Sequence, residues 1–134
     1  MFGDRTLLGT YEVSVDSKNR IALPAKTNRE AGDELVLVFD KDVEKYAIHK
    51  LKDIENKIKY YDDRIDITNS EDEIKKLKTE EYKYAKAVKD LLTVDVQGRI
   101  ILTSNFSKYT KLTLVGCGNV MYIDSGKEKK TNTK

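Results

Sequence analysis

Apolar and polar residues alternate at two places in this chain, in nearly the same order. Tyr11, Val13 and Val15 alternate with Thr10, Glu12 and Ser14 over residues 9–15, the period of a strand with one buried face. Val88, Asp90, Leu92 and Val94 repeat that step further on. Each run enters a short polar loop, Asp16-Ser-Lys-Asn19 or Asp95-Val-Gln-Gly98, and leaves it as a short returning strand, Arg20-Ile-Ala-Leu23 or Arg99-Ile-Ile-Leu102. Asp, Arg, Ile and Leu recur at the same steps, with the copies offset by 79 residues from Asp16 to Asp95. Each copy is too short to bury a core of its own, so the pattern predicts two halves folded around one core. Asn19 stands where the second copy has Gly98. Both residue types tolerate the left-handed backbone region, which predicts a tight turn with positive φ in each copy.

Downstream of each loop the order also repeats. Pro24 ends the first returning strand and predicts a short helix over residues 25–31, stopped by Gly32. Residues 34–39 form the most strand-like run, and 46–48 pair back on it after a turn at 40–42. In the second half, residues 104–109 replace the short helix, while 112–115 and 121–123 replace the two strands. Each half thus reads β-loop-β-α-β-β. Between them Leu51, Ile54, Ile58 and Tyr61 fall at helical spacing, and a second helix runs over 71–86 with Ile74, Leu77 and Tyr84 on one side. Ser70 followed by Glu73 is a capping-box pattern at its start. The charged faces of these helices read as solvated surface, although their narrow apolar stripe also suits a subunit contact. After Asp124 no apolar residue remains, which predicts a disordered tail. The chain therefore divides into a first repeat at 7–50, a helical linker at 51–86, a second repeat at 87–124 and a tail at 125–134.

Composition narrows the possible functions. With 134 residues, 39% hydrophobic and 36% charged, the chain suits one domain with a core and a large wetted surface. A formal charge of +2 gives no bulk argument for a nucleic-acid partner, so such a partner has to be argued from local clustering. One cysteine, Cys117, excludes an internal disulfide and fits a reducing cytoplasm. No apolar run approaches bilayer length, and Asp4 and Arg5 occupy the place of a signal peptide's apolar block. A soluble cytoplasmic protein is expected. His49, the one histidine, has no Cys or acidic neighbours at metal-ligand spacing and reads as a strand-end surface residue. Cys117 between Gly116 and Gly118 reads as a tight turn, and no helix with Lys-Ser/Thr follows to make a phosphate loop. Neither an enzyme, a cofactor, a metal site nor a small-molecule substrate is expected.

The loops hold the candidate chemistry. Arg20 and Arg99 follow a tight turn, where a planar five-donor fork reaches a phosphate or the O6/N7 edge of guanine. Lys18 and Gln97 precede them by two residues. Lys26 and Arg29 on the predicted short helix add charge for the phosphate backbone, where the second half offers only Lys108 and Lys111. Asp16 and Asp95 suit a shaping role, accepting hydrogen bonds from turn amides and orienting the arginine, while Asn19 and Gly98 make the turn itself. The competing reading of each loop is an internal Asp–Arg ion pair with no partner at all. Repetition and the Asn19/Gly98 equivalence, together with the family resemblance that follows, favour a duplicated contact to DNA.

The Asp-x-x-Gly/Asn-Arg loop followed by Ile-x-Leu, present twice, together with Leu8-Gly-Thr-Tyr11 and Leu112-Thr-Leu-Val-Gly-Cys-Gly-Asn119, resembles the MraZ family of bacterial transcriptional regulators. The resemblance spans residues 7–124. It implies an α+β, β-rich fold in which two AbrB-like (SpoVT/AbrB) swapped-hairpin βαββ repeats form one pseudo-two-fold barrel with a helical linker between them. It also implies ring-shaped homo-oligomers, association with the nucleoid, and binding of double-stranded DNA at short direct repeats upstream of a division and cell-wall operon. An antitoxin of the MazE kind would share the swapped-hairpin fold. Its toxin-wrapping extension should be acidic or amphipathic, whereas the tail here is short, basic and without apolar anchors.

Overall fold

The computed structural model describes residues 7–24, 27 and 30–129. The chain is α+β and strand-rich. In order come β1 (Leu7–Ser14), β2 (Arg20–Ala22), β3 (Glu34–Asp40), β4 (Lys45–Lys50), α1 (Leu51–Ile67), α2 (Glu71–Lys86), β5 (Val88–Thr93), β6 (Arg99–Ile101), β7 (Tyr109–Gly118) and β8 (Val120–Glu128). A 3-10 turn at Ser104–Phe106 precedes β7.

Six strands form one antiparallel sheet in the order β1-β7-β8-β4-β3-β5, and β2 and β6 form a separate two-stranded ladder. Two ladders, β3–β4 and β7–β8, lie within a half. The others join the halves: β1 to β7, β2 to β6, β3 to β5 and β4 to β8. The barrel that the family resemblance implies is not closed. After the turn bond from the Asp16 amide to the Arg20 carbonyl (3.0 Å), β2 pairs with β6, so the large sheet ends at β1 and β5.

The run at residues 35–39 is apolar without alternation because β3 is buried on both faces. Leu35 and Leu37 enter the main core with Ile21, Ile48, Ile100, Leu112, Leu114 and Met121. Val36 and Val38 face the other way, against Ile54, Leu51 and Tyr84 of the helices. Ile54, Tyr61 and Leu77 are the buried residues of α1 and α2. The Ser70 side chain accepts the Glu73 amide at 3.3 Å, and Glu71, Asp72 and Glu73 in the first turn oppose Lys83 and Lys86 in the last, as the helix dipole favours.

Three stretches differ from the expectation. Residues 25, 26, 28 and 29 of the predicted first short helix lie outside the described residues, whereas Thr27 bonds back to the Pro24 carbonyl through its amide (3.0 Å) and hydroxyl (2.7 Å). Glu30 and Ala31 are not helical, and Gly32, at φ 87, turns the chain toward β3. In the second half the helix expected over 104–109 shortens to Ser104–Phe106 because β7 already begins at Tyr109. At the far end, β8 extends through residues 125–128, which lack apolar side chains and were expected in the tail. Backbone pairing with β7, Thr113 with Ser125, Leu112 with Gly126 and Lys111 with Lys127, makes that strand without any need for apolar side chains. The Tyr109 ring lies over Gly126, leaving no room for a Cβ there. The rest of the expected tail, residues 130–134, lies outside the described residues. Among the described residues no helix is long and apolar enough to cross a membrane.

Candidate nucleic-acid interface

The two Asp-to-Arg loops share one hydrogen-bond pattern. In the first, Asp16 Oδ1 accepts the amides of Lys18 and Arg20, both at 2.9 Å, and Oδ2 accepts Arg20 Nε at 2.8 Å. In the second, Asp95 Oδ1 accepts the amides of Gln97 and Arg99, both at 2.9 Å, and Oδ2 accepts Arg99 Nε at 3.0 Å. The Asn19 and Gly98 amides donate to the Asp16 and Asp95 carbonyls at 3.0 Å, and these two residues take φ 60 and 75. Each turn is also bonded by the opposite half. The Leu23 amide donates to the Gly98 carbonyl at 2.9 Å and the Leu102 amide to the Asn19 carbonyl at 2.8 Å.

These bonds set the charge state of the carboxylates. Asp16 is held below the ordinary carboxylate range by the Arg20 amide above all, with desolvation opposing and the Arg20 guanidinium and Lys18 amide adding to the effect. Asp95 is lowered in the same way, first by the Arg99 amide, again against desolvation. Each ion pair engages the arginine through Nε, with side-chain exposures of 24% for Arg20 and 27% for Arg99. Among the described residues the terminal NH2 groups of both guanidiniums make no hydrogen bond or ion pair.

The β2–β6 ladder brings the loops together. Arg20 pairs with Ile101, Ile21 with Ile100, and Ala22 with Arg99. Side chains alternate across a strand and paired residues share a face. Ile21 and Ile100, 0% and 1% exposed, therefore occupy the core face, while Arg20, Ala22, Arg99 and Ile101 make up the outer face. The arginines stand on one diagonal of this four-residue face, their Cα atoms about 8 Å apart by strand geometry. Ala22 and Ile101 hold the other diagonal. Both were missing from the sequence-level site, although the step from Arg20 to Ala22 and from Arg99 to Ile101 already put each pair on one face.

The other candidates lie around this face or apart from it. Lys18 and Gln97 are exposed on the loops. Lys26 and Arg29 lie outside the described residues. Lys111 is in β7, paired with Glu12 at 3.3 Å, and Lys108 is 3.8 Å from Glu128 and 5.2 Å from the Tyr109 ring centre. Both second-half lysines are thus already engaged by neighbouring groups. His49 lies at the end of β4 as expected, but it is not fully at the surface. It is half-buried within β4, where desolvation lowers its pKa against the opposing influence of Asp53 and Asp40. Cys117 is exposed within β7, opposite Leu8, rather than in a turn. Among the described residues no three His, Cys, Asp or Glu side chains are grouped to hold a metal ion.

No family model matches the chain. Curated relatives do. The transcriptional regulator MraZ of Caldanaerobacter subterraneus subsp. tengcongensis is 32% identical over 108 residues, which cover 79% of this chain and 68% of that protein. The protein of the same name from Thermoanaerobacter pseudethanolicus is 31% identical over 108 residues, with the same coverage of both chains. That of Mycoplasma mobile is 28% identical over 119 residues, covering 84% of this chain and 75% of its own. With 32% of the aligned residues identical across most of both lengths, and relatives that all bear one name, the chain belongs to the MraZ family.

Proposed function

We propose that the protein is a transcriptional regulator that binds double-stranded DNA, with the outer face of the β2–β6 ribbon as its reading surface. The observation that carries this is the convergence of Arg20 and Arg99, each held through Nε by its own loop aspartate, on one face of one ribbon. A two-stranded ribbon fits the major groove, which is about 12 Å wide. Two arginines whose Cα atoms stand about 8 Å apart are spaced by roughly two base steps along the groove. With Nε engaged, each fork presents its terminal NH2 groups, and a side chain already ordered by its aspartate loses less freedom on binding. Lys18 and Gln97 at the loop tips, and Lys26 and Arg29 after β2, add phosphate contacts. Asp16, Asn19, Asp95 and Gly98 shape the loops.

The proposal extends to the fold and assembly. The strand order exchanges with its own reverse when the halves are interchanged, which supports two swapped-hairpin repeats of the SpoVT/AbrB kind about a pseudo-two-fold axis. One protomer neutralises few phosphates, so strong binding calls for a homo-oligomer, a ring by family resemblance, engaging short direct repeats at high effective concentration. Such a protein works in the cytoplasm at the nucleoid. The test is titration of the purified protein, with its mass from light scattering, against the DNA upstream of its own gene and scrambled competitor at one salt concentration. Competitor-resistant binding by an oligomer is expected. A monomer that binds both DNAs alike would overturn the reading.

A further inference from the structure

The two ends of the Ala22–Ile101 diagonal differ in a way that bears on what is read. Ile101 is 61% exposed, its ladder partner is Arg20, and Arg99 lies two residues back on the same face. The corresponding position in the first half is Ala22, paired with Arg99. The loop tips differ in the same sense, with Val96 (88% exposed) in the second half where the first has Ser17. Single exposed apolar residues are ordinary on protein surfaces. Ile101, however, is placed among both arginines, and the core beneath the ribbon is already filled by Ile21 and Ile100. In a major groove the apolar group available to such a side chain is the 5-methyl of thymine, the one feature there that donates and accepts no hydrogen bond.

We infer that Ile101 is a specificity-determining residue that contacts a thymine methyl group beside the base read by an arginine, while Ala22, smaller by three carbons, leaves the matching position unread. This rests on the DNA-reading function proposed above. Its consequence is a directional protomer: a ribbon that is symmetric in backbone bonding is unsymmetric in chemistry, so each protomer sits on its site in one orientation.

The experiment starts from duplexes that the full-length protein enriches from a randomised pool. Each thymine of the enriched site is then replaced by deoxyuridine, which removes only the methyl. Burial of one methyl is worth about a three- to fourfold change in affinity. The expected result is a loss of that size at one thymine for the wild type, no such loss for Ile101→Ala, and retained sensitivity in Val96→Ser. Ala22→Ile should add preference for a second thymine. An enriched site without thymine, uracil tolerated at every position by the wild type, or an unchanged uracil response in Ile101→Ala would overturn the inference while leaving DNA reading intact. So would a changed oligomeric mass of Ile101→Ala with that response preserved, which assigns the residue to a contact between copies. Failure of the wild type to enrich any sequence removes the DNA-reading function, and this inference with it.

Discussion

Replacing Ile21 by Ala tests the feature on which the site depends, the pairing of two strands far apart in sequence. Ile21 is 0% exposed and faces Ile100, 1% exposed, across the β2–β6 ladder. The substitution removes three carbons, about 2.4 kcal/mol of transfer free energy at about 0.8 kcal/mol each. Ile21 belongs to a core cluster that also holds the buried Leu23, Leu102 and Leu112, so the site collapses only in part and the cavity adds to the loss. A total of about 3–4 kcal/mol follows, within the usual range for such changes. In a chain of this size that lowers the unfolding midpoint by about 10–15 °C. Ile100→Ala should cost a similar amount. The double variant should depart from additivity by about 1 kcal/mol or more, because the two side chains share one cavity. Ile101→Ala, one residue along and exposed, should stay within about 0.5 kcal/mol. The assay is urea unfolding of the wild type and these four variants at one protein concentration, with slopes compared to confirm that the unfolded states match. Additivity within about 0.5 kcal/mol, or a cost below about 1 kcal/mol for Ile21→Ala, would refute the ladder and with it the joint presentation of the arginines.

Arg20→Ala or Arg99→Ala should each weaken DNA binding by about 1–3 kcal/mol and broaden the set of sequences bound, and Lys should not substitute at either position because it has no planar fork. Titration at fixed salt decides this, and undiminished binding by the double variant would take the ribbon out of the interface. Gly98→Ala, at φ 75, should destabilise the fold by about 1–2 kcal/mol, whereas Asn19→Gly should be nearly neutral in the same unfolding assay. The lowered pKa values of Asp16 and Asp95 give a signed pH dependence. Their folded-state values lie below the unfolded ones, so their contribution is complete above the ordinary carboxylate range and is lost as pH falls through the depressed values. Asp16→Asn and Asp95→Asn should flatten the acid limb of the stability profile, and a limb unchanged in the double variant would contradict this account.

Much of the fold can be read from local chemistry. Period-two alternation locates β1 and β5, the Asn19/Gly98 equivalence announces two turns at positive φ, and Ser70 marks the start of α2. The loop carboxylates are equally legible, because their acceptors lie within four residues of the amides they bind. These are short-range matters: backbone preferences and bonds between near neighbours depend on the residues themselves. The extension of β8 over residues 125–128 was not legible, since its stability comes from β7 and not from its own polar side chains. Nor was the open edge of the sheet, which depends on β2 choosing β6 over β1. The face that unites Arg20, Ala22, Arg99 and Ile101 likewise exists only because strands 79 residues apart pair in one register. That register is selected by the burial of Ile21 and Ile100 in a core to which strands of both halves contribute. Long-range pairing answers to the summed burial of the whole chain, so no local stretch encodes it, and the chemistry of the candidate site inherits that dependence.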